Sequence, residues 1–288
     1  MDERPRLIKM YMVTYRNPEC VKNNLDTLFA TLGTNQSVPK GTQINLTIIN
    51  NHSAFVLPEE YKKQVWVKDN LRVDESCGHL ARDWNYALID GFRSLKNPRA
   101  DQVICFHDDV IWLDNWLDKL YTIHQTYDFY MADFGCTLHS YLPSAVRKIG
   151  LWDERFCNIA YHEADYQLRA RIYNGDKSSI NDHEQGRVWN PTEVIVRHPP
   201  HNADKTSAAN ESLNYHPISR KVFEKKWRRY PERWERQGEP PKQPYIDSYM
   251  NYPYFEKDVE TLTLQKYVQA WAFDPKWHDV NFTTDDTI

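Results

Sequence analysis

The chain has 288 residues, 41% hydrophobic and 14% aromatic, which is enough to form one large folded core and argues against a disordered polymer. Its formal net charge of −4 argues against wholesale binding of nucleic acid, which needs a basic balance or a basic face. No run of about 18 apolar residues is long enough to span a bilayer, and the five scattered cysteines form neither a CxxC pair nor a disulfide framework.

In chain order, "LIKMYMVT" (Leu7 to Thr14) predicts a buried strand. "NPECVKNNLDTLFATLG" predicts a helix with Asn17 as N-cap, Pro18 in its first position and Gly33 past its end. A second strand, Ile44 to Asn50, ends in the polar turn "NNHS", and a third runs from Gln64 to Lys68. "GHLARDWNYALIDGF" reads as an amphipathic helix leading into a strand from Gln102 to Phe106. Phe129 to Leu138 reads as a strand, "LPSAVRKIGLWDERF" as a short helix and loop, "YHEADYQLRARIYNG" as a helix closed by Gly175, and Thr192 to Pro200 as a last strand. Alternation at this spacing predicts a mostly parallel α/β sheet covered by helices.

Ligands in such sheets bind beyond the carboxyl ends of the strands. That rule places Thr14 to Arg16, Asn50 to Ser53 and His107 to Asp109 on one rim. Adjacent Asp108 and Asp109 suit a hard divalent cation completed by phosphate oxygens and water. The plainer reading is a turn in which Asp114 or Asn115 caps the following helix. His162, Glu163 and Asp165 open the helix of "YHEADYQLRARIY". There, Glu163 or Asp165 could accept a proton from a hydroxyl, although acids in a first turn also suit the helix dipole, and Asp165 can pair with Arg169 four residues on. His198, at the end of the last strand, could bind a metal or be structural.

Taken together and in order, "VTYRNPECVKNNLDTL", "IINNHS", "CGHLARDWNYAL", "VICFHDDVIWLDNWLDKL", "IGLWDERF" and "HEADYQLRAR" resemble family 2 glycosyltransferases of the GT-A, Rossmann-like fold, over roughly Leu7 to Tyr173. The resemblance implies that Thr14, Tyr15, Arg16, Asn50 and Ser53 surround the nucleotide, with Asn50 where the family usually carries an Asp that pairs with uracil. It implies that Arg82, Asp83 and Asn85 line the diphosphate or sugar, and that Trp152, Asp153 and Glu154 help hold a sugar. "HDD" stands for the family's metal-binding Asp-x-Asp. Asp109 is then the direct ligand, Asp108 lies beside it, His107 stands where the first acid would be, and His198 is a third ligand of Mn²⁺ or Mg²⁺. Glu163 falls at the general base of an inverting transfer, with Asp165 as second choice.

The resemblance therefore implies a metal-dependent enzyme that moves a sugar from a nucleotide-sugar, a UDP-sugar first, to a hydroxyl of a glycan or lipid-linked acceptor. A retaining transferase, a metal-dependent nucleotidyltransferase or phosphohydrolase, and an inactive glycan-binding module stay open as alternatives. The expected organisation is a catalytic domain over residues 1–200 and a C-terminal extension over 201–288 with a helix, a Pro-rich linker "GEPPKQP" and an aromatic tail. Within that extension "RKVFEKKWRRYPERWER" carries eight basic residues against three Glu, which reads either as a solvated helix or as a patch for phosphates or an anionic surface. The lack of an apolar leader predicts a cytoplasmic protein.

Overall fold

The computed structural model describes residues 6–69, 80–132, 137–153, 156, 161–180, 194–197 and 216–227. Its elements are β1 (Leu7–Thr14), α1 (Pro18–Leu32), β2 (Gln43–Asn50), β3 (Val65–Asp69), α2 (Leu80–Phe92), β4 (Gln102–His107), β5 (Ile111–Trp112), α3 (Trp116–Ile123), β6 (Phe129–Ala132), β7 (Leu138–Tyr141), α4 (Pro143–Ile149), α5 (Tyr161–Tyr173), β8 (Ser178–Ile180), β9 (Val196–Arg197) and α6 (His216–Trp227). The described strands form a seven-stranded sheet in the order β3-β2-β1-β4-β7-β6-β8 and a small β5-β9 pair. Only β7 runs against the other strands of the large sheet.

Alternation along the central strands explains why the sheet is covered on both faces. Tyr11 and Val13 of β1, with Val103 and Cys105 of β4, pack against Trp84, Ala87, Leu88 and Phe92 of α2. Met10, Met12, Ile104 and Phe106 point the other way, onto Val21, Leu25 and Leu28 of α1 and Trp116 and Leu120 of α3. Near-continuous apolar strands are what a two-sided parallel sheet requires. α2 lies so close to the sheet that a Cβ at Gly91 would collide with the Val103 side chain, which explains a glycine inside this helix. The expected α/β architecture is the one the chain adopts.

Three local features differ from the sequence reading. The apolar run from Phe129 is not one strand: β6 ends at Ala132 and pairs antiparallel with β7, which begins at Leu138, a pairing that a wholly buried run without alternation does not announce. α3 is not capped by Asp114 or Asn115: Asn115 sits at the cap position with φ 57° and no side-chain cap bond. The cap comes from elsewhere, as Asn35 Oδ1 accepts from the backbone N–H groups of Leu117 (2.9 Å) and Asp118 (3.1 Å). The basic helix α6 does not lie free in solvent: Phe223 and Trp227 pack against Phe156, Tyr161, Ala164 and Leu168.

From β1 the chain builds outward through β2 to β3, then returns to place β4 on the other side of β1. The β1–β4 boundary is therefore the point where strand order reverses, and the crevice beyond its carboxyl end is where such sheets bind ligands. Among the described residues, no helix is long and apolar enough to cross a membrane.

Candidate active site

At that crevice, β1 ends in Thr14 and β4 ends in His107, followed by the Asp108–Asp109 turn. Thr14 Oγ1 donates to Asp108 Oδ2 at 2.7 Å, which joins the two strand ends across the switch point. α1 holds the turn from one side: Asn24 Nδ2 donates to the His107 carbonyl (3.0 Å) while its Oδ1 accepts from Trp112 Nε1 (2.9 Å). His107 N–H donates to the Thr137 carbonyl at 3.0 Å. The backbone of the acid pair is thus fixed by partners from several other segments.

Burial, and then the neighbouring Asp109 charge, raise the Asp108 pKa well above the usual carboxylate range, and the neutral donors from Thr14 and from the backbone lower it only in part. Cys20, in the first turn of α1, feels the same pair: burial first, then Asp108 and Asp109, push its thiol up to about 11. The amino end of α1, started by Asn17 accepting from the Cys20 N–H at 3.3 Å, therefore lies beside the two acids. The helix dipole favours an anion there.

Beyond β1 and β2 stand the residues expected around a nucleotide. Tyr15 meets the His52 ring edge-on at 5.2 Å, and the Arg16 guanidinium lies 4.8 Å from the Tyr15 ring centroid. Arg16 adopts φ 57°, a left-handed conformation that costs a residue with a side chain roughly 1–2 kcal/mol. Ser53 is exposed at the tip of the next turn. Asn50 is buried and engaged at both ends of its amide: Nδ2 donates to Asp69 Oδ1 at 2.9 Å and Oδ1 accepts from the His52 N–H at 3.0 Å. Asp69 lies directly opposite Asn50 in the parallel register, exposed at the end of β3. A carboxylate thus stands beside the position where the resemblance expects one, on the neighbouring strand.

On the other side of the crevice, rings form a continuous floor. His107 stacks on Trp84 (5.6 Å, 2°), Trp84 meets His139 edge-on (5.3 Å), His139 tilts against Trp152 (5.1 Å), and Trp152 against His162 (5.4 Å). His139 is fully buried, and burial followed by the charges of His107 and His162 holds its pKa well below the ordinary histidine value. Glu163 follows at the end of this chain of rings, 7% exposed, with His162 Nε2 3.9 Å from its Oε1. The acid pair and Glu163 thus flank one aromatic floor.

Asp165 has a different environment. Its carboxylate accepts from Arg169 Nε (2.9 Å), Lys226 Nζ (2.6 Å) and Trp227 Nε1 (2.9 Å), and it is fully buried. Its lone pairs are committed to the interior, so of the two candidate bases the geometry favours Glu163. Asp83 is also buried, accepting from Asn51 Nδ2 at 2.8 Å. Asn85 exchanges two hydrogen bonds with the Trp152 backbone (2.9 and 2.7 Å), and Trp152 stacks on Tyr166 at 4.1 Å with no exposed surface. Asp83, Asn85 and Trp152 are all buried, whereas Arg82 keeps partial exposure at the start of α2. His198 and Glu154 lie outside the described residues. The sequence reading missed Asp69 and Lys226, because strand register and a lysine's burial leave no mark on local pattern.

Among the described residues no cluster of three or more His, Cys, Asp or Glu side chains is arranged to hold a metal ion by itself. The donor set nevertheless fits one kind of ion. Adjacent carboxylates, with the proton affinity of Asp108 raised by burial and by the neighbouring Asp109 charge, suit a hard divalent cation that takes few protein ligands and completes its shell with phosphate oxygens and water.

Neither a protein-family profile nor a curated protein sequence matches the chain. Several solved structures are similar in fold. The mannosyltransferase PcManGT from Pyrobaculum calidifontis, in complex with GDP-Man and Mn²⁺, matches over 93% of this chain and 75% of its own, at 12% identity and a TM-score of 0.44. A Drosophila β1,4-galactosyltransferase 7 mutant in complex with manganese, UDP-Gal and xylobiose matches over 75% of this chain and 79% of its own, at 9% identity and a TM-score of 0.45. S. aureus TarS is similar at 13% identity over 56% of this chain with a TM-score of 0.40, and the chain spans only 33% of that protein's length.

Proposed function

We propose that the chain is a divalent-metal-dependent glycosyltransferase that binds a nucleotide-sugar, with a UDP-sugar as first candidate, and transfers the sugar with inversion to a hydroxyl of a glycan or lipid-linked acceptor. The observation that carries the reading is the Thr14–Asp108 hydrogen bond at the topological switch point, with Asp109 beside it and the amino end of α1 facing both. A strand-end acid pair next to a helix amino end suits a diphosphate and its cation.

Asp109, supported by Asp108 and His107, would hold the ion, with His198 as a further candidate. When bound, a divalent ion supplies Lewis-acid stabilisation of the charge that gathers on a departing diphosphate. The chain's own residues do the rest. Tyr15, Arg16, Asn50, Asp69 and Ser53 surround the nucleoside, where Asp69 offers acceptor oxygens to base N–H groups and Asn50 holds it in place. Glu163 accepts the proton of the acceptor hydroxyl as that oxygen attacks the anomeric carbon. The carbon–oxygen bond to the diphosphate breaks in the same step, its electron pair leaves with the diphosphate, and one displacement inverts the centre. The buried floor from Trp84 to His162 keeps the two halves of the site at a fixed separation.

A screen of nucleotide-sugars for Mn²⁺-dependent donor hydrolysis tests the reading. Hydrolysis of one donor, lost in Asp109→Ala, is expected. Glu163→Gln should keep donor binding and lose transfer, and full transfer by both variants would overturn the proposal. NMR of the product's anomeric configuration separates inversion from retention.

A further inference from the structure

The basic stretch beginning at Arg220 sends one of its lysines into the protein interior. Lys226 has no exposed side-chain surface, and its ammonium bonds Asp165 Oδ1 (2.6 Å) and Asp153 Oδ2 (2.9 Å) together. Trp227 Nε1–H donates to the same Asp165 oxygen at 2.9 Å. From within α5, Arg169 donates Nε to Asp165 Oδ2 (2.9 Å) and Nη1 to the carbonyls of Ile149 (2.9 Å) and Leu151 (2.7 Å). Two cations and two carboxylates thus balance inside the protein and tie together three segments: the chain from Ile149 to Asp153, the first turns of α5, and α6.

Around this set, Phe223 and Trp227 of α6 pack on Phe156, Tyr161, Ala164 and Leu168, and the Lys226 ammonium lies 5.7 Å from the Phe156 ring centroid. Replacing a buried ion pair by apolar side chains of similar volume is often neutral or stabilising, so stability alone does not account for this set. Its distinctive property is directional, because it holds the start of α5 in one rotation. Residues two apart on a helix are separated by about 200° around its axis. A grip on Asp165 therefore holds the turn from the side away from Glu163 and leaves that carboxylate facing elsewhere.

We propose that Lys226, assisted by Trp227, is a positioning residue: docking of α6 fixes the rotation of the α5 start and thereby aims Glu163 at the acceptor hydroxyl. The proposal rests on the reading of Glu163 as the general base. It makes a helix that lies outside the motif-bearing region part of the working site, and it explains why a lysine in a charge-rich stretch is wholly buried.

The test uses the full chain in three variants, Lys226→Met, Lys226→Arg and Trp227→Phe, with two readouts. Hydrogen exchange reports the amides of 161–165 against those of β1 and β4. Steady-state kinetics use the nucleotide-sugar that the wild type hydrolyses fastest. Exchange in Lys226→Met is expected to speed up about tenfold more at 161–165 than at β1 and β4, whose amides follow the global stability, and kcat to fall at least about tenfold while the donor KM stays within about twofold. Lys226→Arg should recover most of the loss, and Trp227→Phe should move both readouts in the same direction by about threefold. A wild-type kcat in Lys226→Met, or a loss carried by donor KM instead of kcat, overturns the proposal. If Lys226→Met does not fold, wild-type exchange and kcat in Trp227→Phe overturn it. If the wild type transfers no sugar from any donor, the transferase reading fails on its own. Exchange at 161–165 then still decides: unchanged rates in Lys226→Met and Trp227→Phe remove the strut.

Discussion

Two of the acid pairs among the described residues, Asp108–Asp109 and Asp153–Asp165, are treated in opposite ways. The second pair is buried with Lys226 and Arg169 among its donors, so its charge is cancelled within the fold. In the first, Asp108 receives a threonine hydroxyl and backbone N–H groups, all neutral, and burial beside Asp109 raises its proton affinity. An acid pair supplied with cations by the fold works as a brace. An acid such as Asp108, supplied with neutral donors where a strand ends, is suited to share a cation brought from outside.

The contrast yields expectations that can break it. The largest concerns activity: Asp109→Ala should lose donor hydrolysis and transfer by about 10²-fold or more, measured by initial rates, while its thermal stability without metal stays the same or rises because a repulsion is removed. Lys226→Met should behave the other way in urea titration, losing about 3–5 kcal/mol because two carboxylates remain buried beside one cation. Equal stability losses in the two variants would erase the distinction between the pairs.

A smaller effect is a pH slope. A carboxyl whose folded pKa lies above its unfolded value of 3.8 binds its proton more tightly when folded. Its stabilising contribution is therefore complete below about pH 4 and is lost as pH rises toward about 8. Metal-free thermal melts should show this decline in the wild type and a flatter profile in Asp108→Asn, and added Mn²⁺ should reverse the decline near neutral pH by favouring the unprotonated pair. Smallest of all, Asn35→Ala removes the cap that α3 receives from the loop after α1, at about 1 kcal/mol by urea titration, with donor hydrolysis unchanged. That variant sets the baseline against which both acid pairs are judged.

Much of the framework was legible because local signals agreed. Asn17 and Pro18 mark the start of α1, Gly33 follows its end, and the apolar runs of β1 and β4 lie where two-sided burial puts them. The position of the acid pair followed from the rule for strand ends. The Asp165–Arg169 bond was readable as an i, i+4 pair, but its meaning was not, because the lysine that completes it sits some sixty residues later. Lys226 looks like solvated charge until α6 is docked. Asp69 acquires its neighbour only through the β2–β3 register, a tertiary property. Trp152, expected to help hold a sugar, is stacked on Tyr166 and hydrogen-bonded to Tyr141, contacts that only the folded chain creates.

The central claim is that the acid pair at the switch point takes a divalent cation together with a nucleoside diphosphate. Calorimetric titration of the wild type with UDP and with GDP, each with and without Mn²⁺, tests it most directly. The account predicts binding of one nucleotide that requires Mn²⁺ and disappears in Asp109→Ala but persists in Glu163→Gln. Binding of neither nucleotide, or binding equally strong without the ion and in Asp109→Ala, would contradict it.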